Sequence, residues 1–174
     1  MSITGYHGTS VAMGEQILKE KLFQLSRKNT DWLGTGIYFH FEYPDAKNWA
    51  MGRHKRNWAV LQVLVDVDMR SDDEYIDFDF GTGKEIYRKT IDELQKIRPD
   101  WITESAQENQ CLVANFIWKE FPEVKCLAAA FPTIRTRVRL VKDPRRMRRE
   151  FCVRDNGCIK NVQLLERGDS HAHS

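Results

Sequence analysis

The run from Trp58 to Asp68 (Trp-Ala-Val-Leu-Gln-Val-Leu-Val-Asp-Val-Asp) is the strongest strand signal in the chain. It is rich in aliphatic and β-branched residues and ends in an acidic loop. Around it, helical and extended patterns alternate. Residues 2–7 read as a short strand. Ser10 is placed to cap a helix over 11–20 with Val11, Ile17 and Leu18 facing inward. A polar loop over 24–32 leads through Gly34-Thr35-Gly36 into the β-prone Ile37-Tyr38-Phe39. Pro44 suits the first turn of a second helix reaching Trp49 and Ala50. Two longer helices are expected near 84–97 and 105–120, the first with Tyr87, Ile91 and Leu94 at helical spacing. Residues 124–130 read as a buried strand. From 134 to 140 apolar residues alternate with Arg135, Arg137 and Arg139, the pattern of a half-buried strand. Two final strands, 149–155 and 158–165, flank Asn156-Gly157, a hairpin signal. Mixed elements closed by a hairpin predict an α+β fold with largely antiparallel or split sheets.

The 174 residues carry no internal repeat and no Pro/Gly/Ser-rich linker, so one domain is expected over 1–165. A polar tail over 166–174, containing His171 and His173, is expected to be flexible. A chain of this length buries roughly 70% of its unfolded surface and needs neither metal nor disulfide. Hydrophobic residues at 41% and charged residues at 30% exclude disorder along the whole chain. No apolar run approaches membrane-spanning length, and the first residues lack a secretory pattern, so the chain is expected in the cytoplasm. Cys111, Cys126, Cys152 and Cys158 form no Cys-x-x-Cys pair and read as reduced and mostly buried.

The net charge of +2 hides a segregation. Between Arg135 and Arg149 lie eight basic residues against the single acid Asp143, which makes that window +7 and the remainder −5. Acids concentrate instead at Asp66, Asp68, Asp72, Asp73, Glu74, Asp77 and Asp79. Asp72-Asp73-Glu74 does not fit calcium-loop spacing and reads as a solvated loop. Gly81-Thr82-Gly83-Lys84 fails the phosphate-loop pattern because Glu85 follows the lysine.

Three segments stand out: His7-Gly8-Thr9-Ser10, Gly34-Thr35-Gly36-Ile37-Tyr38-Phe39, and Glu150-Phe151-Cys152-Val153-Arg154-Asp155 followed by Leu164-Leu165. In the third, the period of two puts Phe151 and Val153 on one face and Glu150 with Cys152 on the other. Each alone also fits a structural role, as a loop histidine, a glycine turn or a solvated strand carboxylate. Together, in this order, they resemble the poly(ADP-ribose) polymerase branch of the ADP-ribosyltransferases, whose signature is His–Tyr–Glu. The resemblance covers about residues 5–50 and 148–165, and nothing over 51–147 aligns. It implies an ADP-ribosyltransferase-like arrangement of split antiparallel sheets with flanking helices.

The resemblance also implies NAD as co-substrate, without a metal, and a site whose residues can be carried over singly. Glu150 would hold the ribose hydroxyl beside the developing oxocarbenium-like cation. Tyr38 would form one wall of the nicotinamide slot, with Trp49 on the second helix as the other. Gly8, with Thr9 beside it, would pair its backbone with the carboxamide, and His7 would hold the adenosine ribose. The family commonly has a serine where this chain has Ala46, so Gly8 holds the amide alone or a nearby side chain substitutes. The helical regulatory domain of the chain-elongating members has no counterpart before His7, which makes transfer of a single ADP-ribose unit the expectation. Arg145, Arg146, Arg148 and Arg149 precede Glu150 and would border the acceptor side. Such a patch suits nucleic acid, an acidic protein surface or the NAD pyrophosphate, and equally a solvated strand face. No aromatic lies within 135–149 to stack a base. The expected activity is mono-ADP-ribosyl transfer to a nucleic-acid or protein acceptor, as a toxin or anti-phage effector with an antitoxin partner and no membrane association. An NAD glycohydrolase and a binding module that has lost catalysis are the alternatives.

Overall fold

Trp58, Ala59, Val60 and Leu61 are buried on both faces, whereas Gln62 to Asp66 alternate between inside and outside. The strand β3 (Trp58–Asp66) therefore runs from a doubly covered region to a half-covered one, which is why its first half is continuously apolar. In the computed structural model, which describes residues 2–132 and 147–168, it belongs to an α+β domain. The other elements are β1 (Ser2–Ser10), α1 (Val11–Glu20), β2 (Ile37–His40), α2 (Tyr43–His54), β4 (Tyr75–Asp77) and α3 (Gly81–Ile97). After them come α4 (Ala106–Glu120), β5 (Cys126–Pro132), β6 (Met147–Val153) and β7 (Ile159–Arg167). The alternating segment expected at 134–140 lies outside the described residues.

Local signals set several boundaries. Ser10 caps α1, its Oγ accepting from Met13 N at 3.3 Å, and Pro44 sits in the first turn of α2. Helix α3 begins at Gly81 rather than 84. A Cβ on Gly83 would collide with the backbone of Asp77, so this glycine lets the helix press against the end of β4. Of the cysteines, Cys111, Cys126 and Cys152 are buried, Cys158 is half-buried, and all four are free.

Among the described residues, pairing joins the strands into a single seven-stranded sheet in the order β4-β5-β6-β2-β1-β3-β7, antiparallel except for β4 and β5. The expected split is reduced to a narrow seam, because β1 and β2 are joined by the one pair Tyr6↔His40. The hairpin expected at Asn156-Gly157 does not form. Strand β6 pairs with β2 and β5, β7 pairs with β3, and β2, β1 and β3 lie between them. A tight two-residue hairpin needs positive φ at its centre, which neither Asn156 nor Gly157 adopts. Residues Asn156–Cys158 form a 3-10 turn instead, with Asp155 Oδ1 accepting from Gly157 N at 2.7 Å. The Asn156 amide accepts from Phe23 N at 2.7 Å and donates to Phe23 O at 3.0 Å. Asn156→Ala removes both bonds and is expected to cost about 1–3 kcal/mol. A urea midpoint that does not move would show that the tie contributes nothing.

Alternation sorts the core onto two faces. One face, under α1, holds Ile37, Phe39, Phe151, Val153, Leu61 and Val63 with Ile17 and Phe23. The other carries two separate clusters. Leu127 and Cys152 pack with Val113 and Ile117 of α4, while Ala46 and Ala50 of α2 pack with Trp58 and Val60. Helix α2 is also tied to β7 by Glu166, which accepts from Lys47 Nζ at 2.7 Å and bonds the Tyr43 hydroxyl. β7 thus reaches Arg167, into the segment read from sequence as tail. Among the described residues, no helix is long and apolar enough to cross a membrane.

Candidate active site at the seam of the sheet

Between the two clusters on the α2–α4 face lies a strip of sheet that carries polar side chains. Strands β6, β2 and β1 are neighbours there, with Glu150 opposite His40 and His40 opposite Tyr6. Tyr38 stands opposite Cys152 one step further along. The period of two puts Arg148, Glu150, Tyr38 and His40 on this face and turns Phe151 and Phe39 to the other. Burial pushes the Glu150 carboxyl up to about 7. The Arg148 guanidinium opposes that rise, and Asp45 at the start of α2 adds to it. Asp45 is itself raised, by burial first, against the pull of Arg148. His40 is only 7% exposed, and burial, then Arg148 and His7, bring its imidazole down to about 3, so it is neutral. Its Nδ1 lies 3.4 Å from Glu150 Oε1, outside hydrogen-bond geometry, and has no other partner among the described residues.

The seam opens beside this strip. The bond from Val11 N to Asn57 O continues the β1–β3 ladder, whose register pairs Ser10 with Trp58 and Gly8 with Val60. In an antiparallel ladder, bonded and non-bonded pairs alternate. The odd residues of β1 therefore bond to β3, and Gly8 turns its N–H and C=O toward β2. Pairing with β2 has ended at Tyr6, two residues earlier. The Tyr38 carbonyl that would have continued it accepts instead from His7 Nδ1 at 3.0 Å. A carbonyl only accepts, so Nδ1 carries the proton and Nε2 is left as an acceptor. Burial lowers the His7 pKa and keeps the ring neutral.

The remaining expected residues are distributed unevenly. The His7 ring lies on the opposite face from Glu150, edge-on to Phe23 at 5.2 Å and Phe39 at 5.8 Å. Thr9 is buried on that same side, its methyl facing Gly14 of α1. The Tyr38 hydroxyl accepts from Leu33 N at 2.9 Å and donates to Gly34 O at 2.7 Å, so the ring is fixed by the preceding loop. Burial raises its pKa strongly. That loop is fastened to α4, where Asn115 Oδ1 accepts from Thr35 N at 2.8 Å and Trp118 Nε1 donates to Leu33 O at 3.1 Å. Trp49 is 40% exposed, one helical turn beyond Asp45 and edge-on to the His54 ring at 5.9 Å. Ala46 is fully buried, with its carbonyl against Gly8.

The arginines divide as well. Arg148 shares the Glu150 face, whereas Arg149 points to the other, bonded to Asp77 and stacked between Phe41 at 5.1 Å and Phe80 at 4.9 Å. Arg145 and Arg146 lie outside the described residues. Among the described residues, no group of three or more His, Cys, Asp or Glu side chains is placed to hold a metal. Sequence reasoning passed over His40 and Asp45. The first was within reach, since His40 follows Tyr38 by two residues on a strand and must share its face. Asp45 was signalled only by standing one turn before Trp49.

The seam thus defines a class of site, a half-buried carboxylate beside a neutral imidazole and a glycine just past the end of the β1–β2 pairing. No family model matches the chain, and no solved structure matches it. It is similar to the uncharacterized protein MJ0359 of Methanocaldococcus jannaschii, 33% identical over 69 residues. That match takes in 36% of this chain and 32% of the other, so the chain spans about a third of the length of this curated relative.

Proposed function

We propose that this protein is an NAD-dependent mono-ADP-ribosyltransferase of the poly(ADP-ribose) polymerase-like type, with the active site at the seam between β1, β2 and β6. The observation that carries the reading is that β1–β2 pairing has ended before Gly8, within two strands of Glu150. A backbone N–H beside a backbone C=O is complementary to a primary amide, the group nicotinamide presents. The two strand spacings separating Gly8 from the β6 carboxylate amount to roughly 10 Å. The loss of the serine hydroxyl at Ala46 is consistent with an amide held by backbone alone.

In this reading the Glu150 carboxylate bonds the hydroxyl of the nicotinamide ribose and stabilises the positive charge that builds as the glycosidic bond lengthens. Nicotinamide leaves with the electron pair of that bond. The acceptor attacks the vacated carbon and gives up its proton to solvent or a nearby base. Tyr38, locked by Leu33 and Gly34, offers a fixed ring beside the slot, while Trp49 would have to swing in from its exposed position. Arg148, on the Glu150 face, favours acceptors that bring negative charge, whether nucleic acid or acidic protein surface. A role as a toxin or anti-phage effector, held in check by an antitoxin, goes with this reading.

The test uses NAD labelled in its adenylate half, incubated in cell lysate with wild type, Glu150→Gln or Arg148→Gln. Label is expected in macromolecules with wild type and not with Glu150→Gln. RNase, DNase or protease then identifies the acceptor by releasing it. Arg148→Gln is expected to lose more labelling than nicotinamide release. Nicotinamide released without any label would make the protein an NAD glycohydrolase. Absence of both label and nicotinamide release would overturn the reading.

A further inference from the structure

The proposed chemistry leaves His40 unused, and the fold gives it no other task. It ends β2 on the face shared with Glu150, and buried ring nitrogens are nearly always bonded. Nδ1 has no hydrogen-bond partner among the described residues, and Glu150 Oε1 stands 3.4 Å from it. Among the described residues, the charged and titratable groups around the pair are Arg148 on β6, His7 on β1, and Asp45 in the first turn of α2, which has Glu42 beside it. With a cation as near as Arg148, a second proton on the ring is disfavoured, so the imidazole has one N–H to give.

We propose that His40 is a positioning residue for Glu150, its Nδ1–H closing onto the carboxylate when Glu150 ionises and fixing the oxygen that faces the ribose. The catalytic consequence rests on the transferase reading, but the pair itself does not. On ionisation the Glu150 proton goes to solvent, and His40 keeps its own proton and stays neutral. A donor that bonds only the charged form acts against burial. His40 therefore makes a carboxylate usable at a site dry enough to need one. The alternative is that the ring merely fills space between β1 and β6.

The experiment follows the Glu150 carboxyl directly by ¹³C NMR in glutamate-labelled protein, its resonance identified by its loss in Glu150→Gln. Three substitutions separate shape from hydrogen bonding. His40→Phe keeps a ring without a donor. His40→Asn brings an amide N–H near the Nδ1 position, and His40→Gln brings one near Nε2. The wild-type midpoint is expected at about 7. His40→Phe and His40→Gln are expected to raise it by about one pH unit, roughly a fivefold loss of carboxylate at pH 7, and His40→Asn to recover most of that. Nicotinamide release at pH 7 should fall about fivefold in kcat with the same two variants, with KM for NAD changing less. If His40→Phe does not fold, the Asn and Gln variants decide alone. Midpoints that coincide in all variants overturn the proposal, as does recovery by Gln instead of Asn. A wild type that never consumes NAD sinks the transferase reading, and the titration still decides the pair.

Discussion

Glu150→Gln is expected to lower nicotinamide release by about 10²–10³ while making the protein more stable in alkaline buffer. The first effect is the loss of one preorganised charge at the developing cation, with shape and burial kept. The second follows from linkage. The carboxyl is raised from 4.5 to about 7 in the fold, so it binds its proton more tightly folded than unfolded. Its favourable contribution is complete below about 4.5 and is lost as pH climbs through about 7. Above that, wild type holds a buried anion that the unfolded chain would solvate, at a cost on the order of 3 kcal/mol. Glutamine carries no charge, so Glu150→Gln and wild type should melt together at pH 4 and separate by several degrees at pH 8. Wild-type kcat/KM should rise with pH up to about 7 and then level off, because the working form is the anion. Equal melting temperatures at pH 8 would mean that Glu150 is solvated. A variant with full turnover would remove it from the mechanism.

Segments with local signals were legible in the sequence. Ser10 and Pro44 mark helix starts by satisfying or dispensing with an N–H, and neither depends on what the helix later touches. The stretch 58–68 reads as a strand because its side chains allow little else. The alternation in 149–155 correctly puts Glu150 and Cys152 opposite Phe151 and Val153, as the two core clusters require. The same period parts Arg148 from Arg149, a consequence that counting charge along the chain obscured. What local signals could not reach was pairing. Asn156-Gly157 announces a hairpin only if the flanking strands prefer each other, and here β6 bonds β2 while β7 bonds β3. Gly83 resembled loop glycine until its contact with Asp77 gave it a packing reason. The site was legible as motifs and not as geometry. Its residues come from three strands, and the facts that matter are properties of the seam. These are the end of β1–β2 pairing before Gly8, the His7 bond to the Tyr38 carbonyl and the His40 nitrogen left without a partner among the described residues.

Gly8→Ala is expected to damage both stability and NAD binding, and the two losses have separate causes. A Cβ at this position would strike the Ala46 carbonyl oxygen and sit 3.0 Å from Ala50 Cβ. The nearer obstacle is helix backbone, which cannot rotate aside as a side chain would. Helix α2 must back away from β1, and overpacking of this kind costs about 1–3 kcal/mol. For a chain of this size that is a fall of roughly 2–12 °C in Tm. Ala50→Gly in the same protein should restore little, since the carbonyl contact remains. The retreat of α2 also carries Asp45 away from Glu150 and Trp49 away from the slot, and it shifts the Gly8 edge against which the nicotinamide amide would dock. KM for NAD should therefore rise more than kcat falls, the signature of lost binding common to ground and transition states. A variant that melts like wild type would show that α2 yields easily and that the close approach is incidental. One that is destabilised but keeps its KM would move the amide to another edge and leave Glu150 without the slot assigned to it.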